Sequence, residues 1–365
     1  MDFISSFRSA DLTKVLIDRI HKATKSSWKV MEICGGQTHA IMQYGIDQLL
    51  PSKIEMIHGP GCPVCVTSLE LIEQAIHIAN LPGVIFTSFG DMLRVPGVSQ
   101  DLLSVRASGA DVRVVYSPFD AVKIAQTNPK KQVVFLGVGF ETTVPAIGMS
   151  ILHAFREAIN NFSIIPANVL VPPAMHTILG SSDTLINGFL AAGHVCAVMG
   201  YWQYEPIAEK YHCPIVVTGF DPLDLVNGIY KTILQLEQGK YYVENAYTRA
   251  VRKEGNLKAQ AIMNEVFEPV DRQWRGIGII PKSGLTLQKK FASFNAIMRF
   301  PLHLNPVSES SLCIAGKVLQ GLAKPIDCPA FCKECTPTTP LGAPMVSSEG
   351  TCAAYYRYQR LGTND

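Results

Sequence analysis

Lys29-Val30-Met31-Glu32-Ile33-Cys34-Gly35-Gly36-Gln37-Thr38-His39 decides the fold class. An apolar, partly β-branched run stops at two glycines and a helical stretch follows, which reads as a strand, a tight turn and a helix start. The same grammar returns at Ile54 to Ile57, Val84 to Thr87, Val112 to Val115 and Val133 to Leu136. Strands that alternate with helices imply a parallel sheet, because a crossover must carry the chain back to the same end. Two helix starts carry caps: Thr67 with Glu70 as a capping box, and Ser117 before Pro118 at the first helical position. After a turn at Gly137 to Thr143 the rhythm resumes, with strands predicted at Val169 to Val171, Val195 to Met199 and Ile215 to Val217. The expected architecture is α/β: two parallel-sheet domains, residues 26–138 and 139–284, around a central cleft. From about Gly284 the pattern degrades, and Pro325, Pro329, Pro337, Pro340 and Pro344 suit an irregular region organised by metal.

The 365 residues allow two to three domains, with 47% apolar types to build cores and only 17% charged. Lys plus Arg number 32 against 30 Asp plus Glu, a net of +2, so no strong field favours a nucleic acid backbone or an acidic membrane. Asp2, Arg8 and Asp11 interrupt any export signal, and apolar runs such as Val133 to Phe140 fall short of the roughly 18 residues of a membrane span. A soluble, cytoplasmic protein is expected. In a reducing compartment, ten cysteines point to metal or redox chemistry rather than structural disulfides.

Cys313, Cys328, Cys332, Cys335 and Cys352 lie close to the C-terminus. Four thiolates hold a cubane iron–sulfur cluster or a structural zinc, and spacing alone leaves both open, with packed thiols as the bland alternative. Gly59-Pro60-Gly61-Cys62-Pro63-Val64-Cys65 sits between a strand and a helix start. Two intervening residues bring its sulfurs within bonding reach, and a helix N-terminus stabilises thiolate, so the pair reads as redox-active, against half a zinc site or two buried thiols. Cys34 stands at a strand's carboxyl end, where open α/β sheets bind ligands, and the following glycines allow close approach. A lone cysteine is more often packing, yet Cys34 and the Cys62/Cys65 pair share one crevice if their strands are neighbours. His39 is a candidate orienting or ligating imidazole, with a structural histidine as the alternative. Gly137-Val138-Gly139-Phe140-Glu141-Thr142-Thr143 opens like a dinucleotide fingerprint but has Thr142 where the third glycine belongs, so it is not read as a nucleotide loop. Glu141 is a candidate proton carrier there, with a helix cap or a surface carboxylate as the plainer role.

Cys34-Gly35-Gly36-Gln37-Thr38-His39, Gly59 to Cys65, Gly139-Phe140-Glu141-Thr142-Thr143 and Ser347-Ser348-Glu349-Gly350-Thr351-Cys352-Ala353-Ala354-Tyr355-Tyr356 together resemble the HypD family of [NiFe]-hydrogenase maturation factors. The resemblance runs from about residue 30 to the end. It implies a scaffold on which the Fe(CN)2CO group is assembled and passed on, with a HypC-type small chaperone and a HypE-type cyanide-delivering protein as partners. It also implies a [4Fe-4S] cluster whose ligand spacing selects Cys313, Cys328, Cys335 and Cys352, leaving Cys332 as an extra thiol. The cluster region would comprise residues 1–25 and 285–365, similar to ferredoxin:thioredoxin reductase. Many members carry His where this chain has Gln37, which does not titrate near neutral pH and is a poor iron ligand.

On this reading a transient Fe(II) with cyanide and carbon monoxide ligands is held by Cys34, with Cys62 and Cys65 as further metal or redox thiols. Electron supply requires the cluster to approach Cys62 or Cys65 closely. Two rival classes are a thiol–disulfide oxidoreductase acting on protein substrates through the same pair, and an α/β interaction module with structural zinc. Bound cyanide and carbon monoxide, or zinc without iron and sulfide, would discriminate among them.

Overall fold

A computed structural model describes residues 9–302, 307 and 309–358. The N-terminal helix α1 (Ala10–Ala23), whose Ser9 side chain accepts the Leu12 N–H, leads into β1 (Trp28–Glu32), α2 (Gly35–Gln43) and β2 (Ile54–His58). After a single helical turn at Pro63–Val66 come α3 (Leu69–Ala79), β3 (Val84–Ser88), β4 (Val112–Val114), α4 (Pro118–Thr127), β5 (Gln132–Gly139), α5 (Val144–Arg156) and β6 (Phe162–Asn168). Then follow α6 (Val171–Gly180), β7 (Gly188–Ala192), α7 (Gly193–Met199), β8 (Ile215–Thr218), α8 (Pro222–Glu237) and β9 (Val243–Asn245). An antiparallel hairpin, β10 (Phe267–Trp274) and β11 (Gly278–Leu287), precedes the irregular C-terminal region and its helix α9 (Thr351–Tyr358).

The fold is α/β with two parallel sheets, ordered β2-β1-β7-β8-β9 and β4-β3-β5-β6. Strand pairing does not follow a division at residue 138. β1 and β2 join β7 to β9 from the second half of the chain, whereas β6, beyond that point, completes the sheet of β3 to β5. Two strand positions also need correction. Val171 is the first residue of α6, and the strand lies earlier, at Phe162–Asn168, where Pro166 is tolerated because β6 is an edge strand. Val195 to Met199 is helical within α7, and the strand is Gly188–Ala192, buried throughout between β1 and β8. The run from Gly188 to Met199, small and apolar apart from His194, has no period that chooses between the two.

The Ser117 cap is realised in full: its Oγ accepts the Phe119 N–H at 3.2 Å and Asp120 Oδ2 accepts the Ser117 N–H at 3.0 Å. The cap of α3 is Ser68, not Thr67, whose hydroxyl instead donates to the Pro63 carbonyl at 2.8 Å. Among the described residues no helix is long and apolar enough to cross a membrane.

Candidate thiol and metal site

β1 and β2 run parallel with Glu32 opposite His58, so Cys34 and the Cys62–Cys65 turn leave the same sheet edge side by side. The loops interlock through the backbone: Gly59 N–H donates to the Glu32 carbonyl at 2.9 Å and Gly35 N–H to the Gly61 carbonyl at 3.0 Å. Gly61 packs so tightly that a Cβ there would overlap the Cys34 amide. Cys34 is the N-cap of α2, and its own N–H donates to Glu32 Oε2 at 2.8 Å. Glu32, wholly buried, also accepts from the Thr38 hydroxyl and from His58 Nδ1 at 2.8 Å, which makes it the anchor of the Cys34 loop.

Cys34 Sγ lies 3.9 Å from His194 Nδ1 and 4.0 Å from Nε2, so the imidazole stands directly against the thiol. Burial, reinforced by the neighbouring Glu32 charge, pushes the Cys34 thiol well above its ordinary range, while burial lowers His194 to about 4. At neutral pH the pair is a thiol beside a neutral imidazole. His194 was missed in the sequence because it sits just before Val195 to Met199, the stretch read as a strand, whereas it is the second residue of α7. The Gly-His at a strand end is the signal that marks it.

Gln37 does not face Cys34. Its Nε2 donates to Thr218 Oγ1 at 2.6 Å and to the Ala191 carbonyl at 3.3 Å, tying α2 to β7 and β8. His39 also turns away: Nδ1 bonds the Ser348 carbonyl at 3.1 Å, and Nε2 accepts from the Tyr358 hydroxyl at 3.2 Å. Glu141 is buried and its Oε1 accepts the N–H of Val171, the first residue of α6, at 2.9 Å, which is the cap role. Its Oε2 has no partner, and burial raises the carboxyl to about 7.

Cys62 and Cys65 are both buried and their thiols are within hydrogen-bond reach of each other; burial, then that bond, pushes Cys65 upward. Cys65 opens on a cavity of about 360 Å³ lined also by the Arg275–Glu309 ion pair and Cys313. Cys313, Cys328, Cys335 and Cys352 ring a second, smaller cavity with Phe331 and Met345. Cys313 borders both, so the thiol pair and the four-cysteine ring are neighbours. Burial raises Cys352, and Cys313, Cys335 and Cys328 raise it further, as thiols sharing one apolar space must. Cys332, with φ of 59°, points outward as an exposed side chain and does not line the ring. Among the described residues no three His, Cys, Asp or Glu side chains converge on a single-ion site, the Cys34, Cys62 and Cys65 group included. Four soft donors around an apolar cavity are compatible with an iron–sulfur cluster.

A family model described as HypD, the hydrogenase formation hypA family, matches residues 11–359. The chain belongs to the HypD family. The hydrogenase maturation factor HypD of Azotobacter vinelandii is 44% identical, with 99% of this chain and 97% of the relative covered. That of Escherichia coli K12 is 43% identical, with 99% of each covered, and that of Cupriavidus necator 42%, with 99% and 98% covered. Hydrogenase maturation is therefore the biological role, and the cysteine constellation of this HypD chain is compatible with an iron–sulfur cluster.

Proposed function

We propose that this chain is the scaffold on which the Fe(CN)2CO group of the [NiFe] site is assembled and passed on, with Cys34 as its thiolate ligand and Cys62 and Cys65 as the adjoining redox pair. What supports this most is the juxtaposition of all three thiols at the carboxyl ends of adjacent parallel strands, with Cys65 opening toward Cys313. An iron centre carrying cyanide and carbon monoxide is soft and takes a thiolate readily. Cys34 starts protonated, so iron must displace its proton. One protein thiol leaves coordination positions open, which suits a second thiolate from a HypC-type chaperone and cyanide delivered by a HypE-type protein.

Cys313, Cys328, Cys335 and Cys352 would hold the [4Fe-4S] cluster, which when bound supplies electrons one at a time. Cys62 and Cys65 pass between dithiol and disulfide, a two-electron change that needs two such electrons and two protons. Their burial keeps the pair from bulk oxidants, and the cytoplasm is the compartment that keeps such thiols reduced.

The test is anaerobic purification of the complex followed by infrared and visible spectroscopy. Cys34→Ala should lose the bands of bound cyanide and carbon monoxide and keep the cluster's visible absorption, whereas Cys352→Ala should lose the visible absorption. Equal loss of both signals in Cys34→Ala would mean that Cys34 is structural. A wild-type complex without the infrared bands would point instead to a thiol–disulfide oxidoreductase.

A further inference from the structure

We propose that His39 is a positioning residue: it latches the Cys352-bearing segment onto the helix that begins at Cys34, so that filling the four-cysteine ring shields the Cys34 thiol. Gly35 and His39 are four apart on α2 and share one face. Both are covered by the C-terminal segment. A Cβ on Gly35 would stand 2.5 Å from the Glu349 carbonyl oxygen, so the two backbones are in direct contact. His39 grips the segment at both ends. The Ser348 carbonyl only accepts, so Nδ1 carries the hydrogen of that 3.1 Å bond, and the free lone pair on Nε2 takes the Tyr358 hydroxyl at 3.2 Å. Cys352 lies between these two grips.

A second connection runs in parallel. Tyr355, one turn beyond Cys352, sets its ring edge-on to His58 at 5.6 Å; His58 holds Glu32, and Glu32 holds the Cys34 N–H. The segment's near end is fixed independently of α2, through Arg94 Nη2 to the Val346 carbonyl at 3.0 Å and Ser347 Oγ to Asp91 Oδ2 at 2.8 Å. Metal ligation by Cys352 adds an anchor that an empty ring lacks, and binding energy spent there orders the flanking chain. His39 passes that order to Cys34. It is thereby an element of the iron site without being an iron ligand.

The inference rests on the cluster reading above, and its test separates the two. Full-length protein, cluster-loaded and after oxidative chelation of the cluster, is treated anaerobically with iodoacetamide, and Cys34 alkylation is followed by mass spectrometry. Visible absorption and hydrogen exchange at Ser347–Tyr358 are recorded alongside. Stripping the wild type should speed Cys34 alkylation at least tenfold and raise exchange in the segment. Loaded His39→Ala should alkylate as fast as stripped wild type while keeping its visible absorption. His39→Asn, which retains a donor for the Ser348 carbonyl, should restore slow alkylation. Equal Cys34 rates in loaded, stripped and His39→Ala protein would overturn the latch, and so would fast alkylation of His39→Ala accompanied by loss of the cluster. Loaded wild type without visible absorption would overturn the cluster reading, and the latch with it. Should infrared bands persist in Cys34→Ala, the iron assignment alone would fall, because alkylation does not depend on it.

Discussion

Glu141 carries a carboxyl that burial raises to about 7, against the pull of the Glu141 and Val171 backbone N–H groups, and its Oε2 has no partner. The sign of its effect on stability follows. As pH climbs from the ordinary carboxylate range to about 7, the unfolded chain has released this proton and the folded chain still holds it. Stability therefore falls across that window and levels off above it, by an amount on the order of 3 kcal/mol. Glu141→Gln keeps an acceptor for the Val171 N–H and removes the titration. Urea unfolding at a series of pH values should show the variant matching wild type near pH 5 and exceeding it at pH 8. The residue was legible as a helix cap, since a carboxylate between a strand and a helix is placed to accept a helix N–H. Its unpartnered oxygen was not, because that depends on what packs over it.

At the scale of elements, the β1–α2 and β2–Cys62 junctions show how glycines serve contact rather than flexibility. Gly61→Ala would drive a methyl into the Cys34 amide and spread the two loops, at a cost of about 1–3 kcal/mol for overpacking. Gly90→Ala is the control, since its Cβ would meet only Val114 Cγ1, at 3.8 Å. Urea midpoints should fall for the first and stay near wild type for the second, and only Gly61→Ala should lose bound iron. Strand–turn–helix units with a proline or glycine at the junction were readable, as at Ser117-Pro118. Gly188 to Met199 was not, despite Gly193 at its junction, because it becomes strand and then helix only where β1 and β8 accept its first five residues. His194 was hidden with it.

At the scale of the whole molecule, the four-cysteine ring draws on chain from Cys313 to Cys352 and seals it with α9, which rests on α2. Cys332 stands outside. Cys332→Ala should thus leave iron, sulfide and visible absorption at wild-type levels, whereas Cys328→Ala should bleach the protein and loosen residues 311–358 toward protease. If Cys332→Ala bleached it instead, the ring would be drawn with the wrong member.

Strand–helix alternation, the two cysteine groups and the glycines that admit close approach are local properties, set by side-chain type and spacing, and the amino-acid order alone determined them. Which strands became neighbours was settled by the packing of the whole chain, since β1 pairs with β7 across more than a hundred intervening residues by burying surface that no local window contains. That long-range pairing placed His194 at Cys34, while the packing of the C-terminal region turned His39 toward α9 and made Cys313 border both cavities.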